Sequence, residues 1–184
     1  MKNNFVPIHY SGEQALTREE YNKLMAVCDD QEDKLLLMIG VSLGLRRSDI
    51  VRIQVNNIDF ENNTISYLER KKKDRLRTVP MSPKLENELK IFLKLSGKGL
   101  SDKIFSFGDR QAYNRFNSLC EKAGIPKRPI HVLRASCCKF YLEAGLRPEQ
   151  IAKIVGDRVE TIMLHYTIPS SGELQQLVRD NEVI

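Results

Sequence analysis

Residues 131–166 open on His131-Val132-Leu133-Arg134, turn at Gly156-Asp157 and close on Thr161-Ile162-Met163-Leu164-His165-Tyr166. Between these points an apolar stripe of Leu133, Cys137, Phe140 and Tyr141 repeats at helical spacing, Gly145 ends it, and Pro148 starts a shorter helix that Gly156 closes. Residues 157–160 restart a helix that reaches Tyr166. His131 and Arg134 are three apart and share a helix face. A tyrosine at the end of a later helix can be brought to the same cleft. Arginine holds a phosphate through a planar fork of donors, histidine moves protons near neutral pH, and a phenol can act as a covalent nucleophile. This combination suits phosphoryl transfer to a tyrosine oxygen.

Upstream of this stretch, residues 109–123 read as an amphipathic helix on Tyr113, Phe116, Leu119 and Cys120, stopped by Gly124 and Pro126. Ser82-Pro83 starts another, with Leu85, Leu89 and Phe92 as its stripe. Between residues 58 and 80 the period changes from helix to strand. Ile58-Asp59-Phe60 and Thr64-Ile65-Ser66-Tyr67-Leu68 flank a turn at Asn62-Asn63, and a third strand is expected from Leu76 to Val79. Nearer the start, Thr17-Arg18-Glu19-Glu20 is a capping box. Residues 33–43 are apolar almost all round, as a buried helix should be, and Gly44 suits its C-terminal turn. The expected fold is mainly α with a small three-stranded antiparallel β-sheet. Residues 1–16 read as a linker or arm, 17–169 as one domain, and 170–184 as a tail helix with an apolar stripe at Leu174, Leu177 and Val178.

Composition narrows the function classes. No apolar run approaches the ~20 residues of a membrane span, and Met1-Lys2-Asn3-Asn4 does not start a signal peptide. A soluble cytoplasmic protein without a membrane partner is expected. Cys28, Cys120, Cys137 and Cys138 form no C-x-x-C pair, and no acidic cluster suggests a metal, so neither metal nor cofactor is expected. A net charge of +5 and a pI near 9.0 are compatible with nucleic acid, and the clustering of the charge says more than its size. Residues 70–77 read Arg-Lys-Lys-Lys-Asp-Arg-Leu-Arg, and Lys127, Arg128, Arg134 and Lys139 form a second basic group. The lysine run at the hairpin tip is either a solvated turn or a finger aimed at phosphate. Arg46, placed at the end of a buried helix, either snorkels out or pairs with Asp49, because an unpaired buried charge is costly.

In order along the chain stand Leu43-Gly44-Leu45-Arg46, a hairpin lysine before Arg77-Thr78-Val79-Pro80, His131-x-x-Arg134, Val155-Gly156-Asp157, and Tyr166. This set resembles the catalytic domain of the tyrosine recombinases, the phage-integrase and Xer-like family. One motif alone is weak, whereas five in order with matching secondary structure are specific. The resemblance runs from Thr17 to the C-terminus and implies the DNA breaking-rejoining fold. Full-length members usually carry a separate DNA-clamping domain ahead of this one.

The resemblance implies a role for each position. Arg46 and Arg134 would hold the non-bridging oxygens of the scissile phosphate, and Lys72 would protonate the departing 5′ oxygen. Lys71 and Lys73 are its rivals, since a one-residue slip changes which lysine points inward. His131 would assist proton transfer around Tyr166, which would form a 3′-phosphotyrosyl link. Such a bond retains the energy of the broken phosphodiester, so no ATP is needed, in keeping with the absence of a P-loop motif, and the paired arginines would replace a metal as the electrostatic clamp. Arg47, Lys71, Lys73, Arg75, Lys127 and Arg128 would contact double-stranded DNA. Copies of the chain would assemble on that DNA as the family's tetrameric synapse, at the nucleoid, with the tail exchanged between subunits or else folded back on its own domain. The other classes that the residues allow are a catalytically impaired DNA-binding relative and a type IB topoisomerase.

One position departs from the family pattern. Asp157 stands where a histidine or tryptophan donor is usual, and an ionised carboxylate cannot donate to a phosphate. Its local spacing suits an N-cap, with Glu160 completing an acidic capping box. The other reading is a supporting role, orienting Arg46 or Lys72. His165, beside Tyr166, is a candidate substitute donor.

Overall fold

The chain enters its core ahead of its first helix. In the computed structural model, which describes residues 14–167 and 171–181, Ala15 and Leu16 are buried and the Leu16 N–H donates to Ser136 Oγ at 2.8 Å. The sequence assigns both residues to an arm. The structure makes them part of the body, because the buried Ser136 hydroxyl gives the incoming backbone an acceptor. Residues 1–13, the rest of that arm, lie outside the described residues.

Helix α1 (Arg18–Ala26) begins with the expected capping box: Thr17 Oγ1 accepts from the Glu20 N–H at 3.1 Å and Glu20 Oε2 from the Thr17 N–H at 2.9 Å. Helix α2 (Gln31–Leu43) is capped by Asp30 and buries Leu35, Leu36, Leu37, Met38 and Ile39 in succession. It is the central rod, against which α4 (Pro83–Ser96), α5 (Asp109–Lys122) and α6 (Val132–Glu143) pack. Short helix α3 (Arg47–Ile50) follows α2 directly.

The sheet is antiparallel in the order β1 (Ile58–Asp59), β2 (Thr64–Glu69), β3 (Arg75–Pro80). Its register pairs Tyr67 with Arg77 and Glu69 with Arg75. Along β2, Ile65, Tyr67 and Glu69 are buried, while Thr64, Ser66 and Leu68 are not, the alternation that a pleated strand imposes. The expected fold class is therefore the observed one.

The C-terminal part builds a second, smaller core. Cys137 and Cys138 of α6 meet Ile151, Ala152 and Val155 of α7 (Pro148–Val155) and Ile162 of α8 (Val159–Ile162). From α8 the chain runs into one wide π-type turn, Met163–Thr167, which carries Tyr166. Such turns are rare and favour functional sites. The tail is helical, as α9 (Ser171–Asp180), with Val178 exposed. The side chains of Leu174 and Leu177 lie outside the described residues. Among the described residues no helix is long and apolar enough to cross a membrane, and the four cysteines are free thiols.

Candidate active site

Arg46 is delivered by the end of α2. Gly44 takes a left-handed conformation (φ 61°), and a Cβ there would come within 2.6 Å of Val155 Cγ1. The close turn swings Leu45 into the core and leaves Arg46 extended as the N-cap of α3. Its Nη1 donates to Glu69 Oε1 at 3.2 Å. The partner suggested by sequence, Asp49, points elsewhere: its Oδ1 accepts from the Arg70 N–H at 3.2 Å, and Oδ2 has no partner.

Arg134 is 4% exposed and lies where three segments meet. Its Nη1 donates to the carbonyls of Gly44 and Val155, both at 2.6 Å, and its Nη2 to Asp157 Oδ2 at 2.9 Å. One guanidinium thus ties α6 to the Arg46 turn and to the end of α7. The expectation that Asp157 caps a helix is corrected here. The N-cap of α8 is Arg158, without a side-chain cap, and no Asp157–Glu160 capping box forms. Asp157 is an ion-pair partner because a buried guanidinium must be neutralised. Partial burial pushes the Asp157 pKa up, but the hydrogen bonds from Arg134 and the Arg158 N–H and the charges of Arg134 and Arg46 outweigh it. The carboxyl stays below the usual aspartate value. The carboxylate is thus orienting, but it orients Arg134 instead of Arg46 or Lys72.

His131 stands at the head of α6, at the mouth of a cleft of about 600 Å³ that Arg46, Arg47, Arg70, Lys71 and Tyr113 also line. Partial enclosure by the cleft walls, then the charges of Arg134, Arg46 and Lys71, hold the imidazole below its ordinary pKa. At pH 7 it is neutral and able to accept a proton.

The β2–β3 hairpin supplies the lysine. Lys72 Nζ donates to the Gly156 carbonyl at 2.7 Å, which brings it against the Arg134–Asp157 group. Lys71 lines the cleft, and Lys73 sits at the tip in a left-handed conformation (φ 53°). Gly156 is itself left-handed (φ 73°), and a Cβ there would overlap the Arg77 guanidinium. Sequence reasoning missed the residue at the base of this hairpin. Glu69 is 1% exposed, and its carboxylate faces Arg46, Lys72, Arg75 and Arg77. Its inward place in the β2 alternation, amid basic residues, was the available signal.

Tyr166 does not line the cleft. Its ring packs on the second core, to which Cys138 also belongs. Burial pushes the Cys138 thiol up to about 12, so it is neutral. His165 stands 6.2 Å from the Tyr166 ring, centroid to centroid, and its Nδ1 is buried without a hydrogen-bond partner. It does not line the cleft either.

The remaining basic candidates differ in how far they are engaged. Arg47 makes a two-point pair with Asp109, each bond at 2.7 Å, and lies over the Tyr113 ring. Arg128 is bound by Glu20 at 2.8 and 2.6 Å, fastening its loop to α1. Lys127 pairs with Glu121 at the surface (3.0 Å), and Arg75 pairs with Glu69 (2.6 Å). Among the described residues no group of His, Cys, Asp and Glu could hold a metal ion.

Comparison with known proteins gives a consistent picture. Residues 14–171 match the sequence profile of the Phage integrase family. A tyrosine recombinase XerA from Saccharolobus solfataricus is 28% identical over 144 residues, covering 78% of this chain and 48% of that protein. XerA from Pyrococcus horikoshii is 25% identical over 179 residues, covering 92% of this chain and 62% of that protein. The chain thus spans about half to two thirds of the length of these relatives. Among solved structures, a crystal structure of XerA recombinase superposes with a TM-score of 0.77 at 21% identity, over 92% of this chain and 65% of that one. A XerH recombinase bound to its difH DNA after cleavage superposes with a TM-score of 0.70 at 18% identity, over 92% and 52%.

Proposed function

Because the chain belongs to the phage integrase family, we propose that it is the catalytic domain of a site-specific DNA recombinase. It cleaves and rejoins strands through a 3′-phosphotyrosyl intermediate, without metal or ATP. The observation that carries this reading is the meeting of Arg46, Lys72, His131 and Arg134, drawn from three separate segments, around the turns at Gly44 and Gly156.

The chemistry follows from the placement. Arg46 and Arg134 neutralise the charge that builds on the phosphate oxygens, the task a metal performs elsewhere. The Tyr166 oxygen attacks phosphorus and the bond to the 5′ oxygen breaks. A free tyrosine phenol loses its proton only near pH ~10, so neutral His131 takes part in moving the proton as Tyr166 attacks. Lys72 gives a proton to the departing 5′ oxygen. Before attack, Tyr166 leaves the second core and turns into the cleft. Double-stranded DNA is the substrate, and further copies of the chain assemble on it at the nucleoid in the cytoplasm. Arg47, Lys71, Lys73, Arg75, Lys127 and Arg128 are the phosphate contacts of this reading.

A nicked duplex with a bridging 5′-thiolate leaving group tests the proposal and identifies the acid, because a thiolate leaves without a proton. Lys72→Ala should cleave the normal phosphodiester about 10²-fold or more slowly, the scale of a lost general acid, and the thiolate at nearly the parental rate. Lys71→Ala and Lys73→Ala should show no such selective rescue. If no lysine variant is rescued, the hairpin contributes phosphate contacts only.

The depressed pKa of His131 makes a second prediction. The acid limb of kcat/KM, which reports the free protein, should lie below about pH 6.5, the ordinary histidine value, with the rate level from there toward alkaline pH. A limb centred above about pH 7 would show that the neutral imidazole is not the working form.

A further inference from the structure

Glu69 is the least expected charge in the molecule. It ends β2, is buried, and receives four cations from three segments. Its Oε1 lies 3.2 Å from Arg46 Nη1, 3.7 Å from Arg77 Nη1 and 4.0 Å from Lys72 Nζ. Its Oε2 accepts from Arg75 at 2.6 and 3.1 Å. Arg77 Nη1 is buried with no hydrogen-bond partner, so it faces this carboxylate with a donor to spare. Burial alone would raise the Glu69 pKa, but Arg75, Lys72 and Arg77 together hold it below the usual glutamate value. The group is an anion at neutral pH.

A carboxylate and a phosphodiester present the same charge and paired oxygens. Two of the cations on Glu69, Arg46 and Lys72, are those that the recombinase reading assigns to the scissile phosphate and its leaving oxygen. Arg46 engages Glu69 through one nitrogen while its side chain also borders the cleft. We propose that Glu69 is a positioning residue and a built-in counter-anion, which holds Arg46 and Lys72 in place while the cleft is empty and then shares their charge with the scissile phosphate. This rests on the recombinase reading. It means that Glu69 weakens ground-state DNA binding while keeping Arg46 in the geometry that cleavage needs.

The test uses Glu69→Gln, which keeps the shape and removes the charge, and Glu69→Asp, which keeps the charge and shortens its reach. Equilibrium binding to duplex DNA and single-turnover cleavage of a nicked duplex at saturating protein are measured for both. Glu69→Gln should bind about threefold more tightly or better at low salt, with the gain fading as salt screens it. Its cleavage should fall by about tenfold or more, because a clamp misplaced by an ångström costs that much. Glu69→Asp should bind within about twofold of the parent and cleave about tenfold more slowly. The double variant Glu69→Gln with Arg46→Ala should lose clearly less than the product of the two single losses, since part of the effect passes through Arg46.

Three results overturn the proposal: Glu69→Gln folding like the parent but binding no more tightly, Glu69→Gln cleaving at the parental rate, or the two losses multiplying in the double variant. If Glu69→Gln does not fold, Glu69→Asp decides alone, and parental cleavage by it overturns the proposal. If the parent itself forms no covalent product, the recombinase reading fails, and the binding comparison still decides for or against the counter-anion.

Discussion

Tyr166→Phe should fold like the parent, bind duplex DNA and leave no covalent adduct on a nicked substrate. The substitution removes one oxygen. The ring still packs on the second cluster, so the fold loses little. No cationic group at the cleft is altered, so phosphate binding persists. The loss of reaction should be total, because the proposed attacking oxygen is gone. Mapping the adduct of the parent to a single peptide, alongside the Phe variant, checks both halves. An adduct that survives in Tyr166→Phe assigns the nucleophile elsewhere.

Arg134→Ala should be damaged twice, and the two losses can be read separately. In the fold, the guanidinium satisfies the carbonyls of Gly44 and Val155 and pairs with Asp157. Truncation strands all three, and removing one member of a buried ion pair costs about 3–5 kcal/mol. Thermal unfolding should therefore move well below that of the parent. In the reaction, the clamp loses one of its two arginines, a loss of about 10²-fold or more in cleavage. Arg134→Lys restores charge without the planar fork whose two separate nitrogens reach the three acceptors, and should rescue poorly. Arg46→Ala supplies the contrast. Its partner Glu69 keeps Arg75, so cleavage should fall comparably while the melting temperature moves less. A parental melting curve for Arg134→Ala, or cleavage within a few-fold of the parent, would remove Arg134 from this position.

Much of this was legible in the chain because the signals are local. The Thr17–Glu20 capping box, the all-apolar α2 and the Gly44 stop each follow from spacing within a few residues. The ordered set of Arg46, Lys72, His131, Arg134 and Tyr166 was legible through its resemblance to the tyrosine recombinases. Asp157 shows where local reading ends. Its spacing to Glu160 fits a cap as well as an ion pair, and the deciding group, Arg134, is 23 residues away in sequence. Glu69 was hidden differently. The β2 alternation marks it as inward-facing, but its significance depends on Arg46 arriving from α2. The wide turn at Met163–Thr167 has no signature that separates it from an ordinary helix, so the resting place of the phenol could not be read from sequence.

The division of the interior into two clusters has a kinetic meaning. The larger cluster joins α2 to α4, α5 and the sheet, and its opening amounts to unfolding the protein. The smaller one, built on Cys137, Cys138, Ile151, Val155 and Ile162, is what the Tyr166 turn rests on. The free energy of local opening scales with the apolar contacts that are broken, and small satellite clusters lie at its low end. The nucleophile proposed at Tyr166 can therefore detach and return many times within the lifetime of one folded molecule, while Arg46, beside the buried Leu45, stays with the slow-breathing body. In the recombinase reading, the reaction would then wait on a local hinge and leave the scaffold undisturbed.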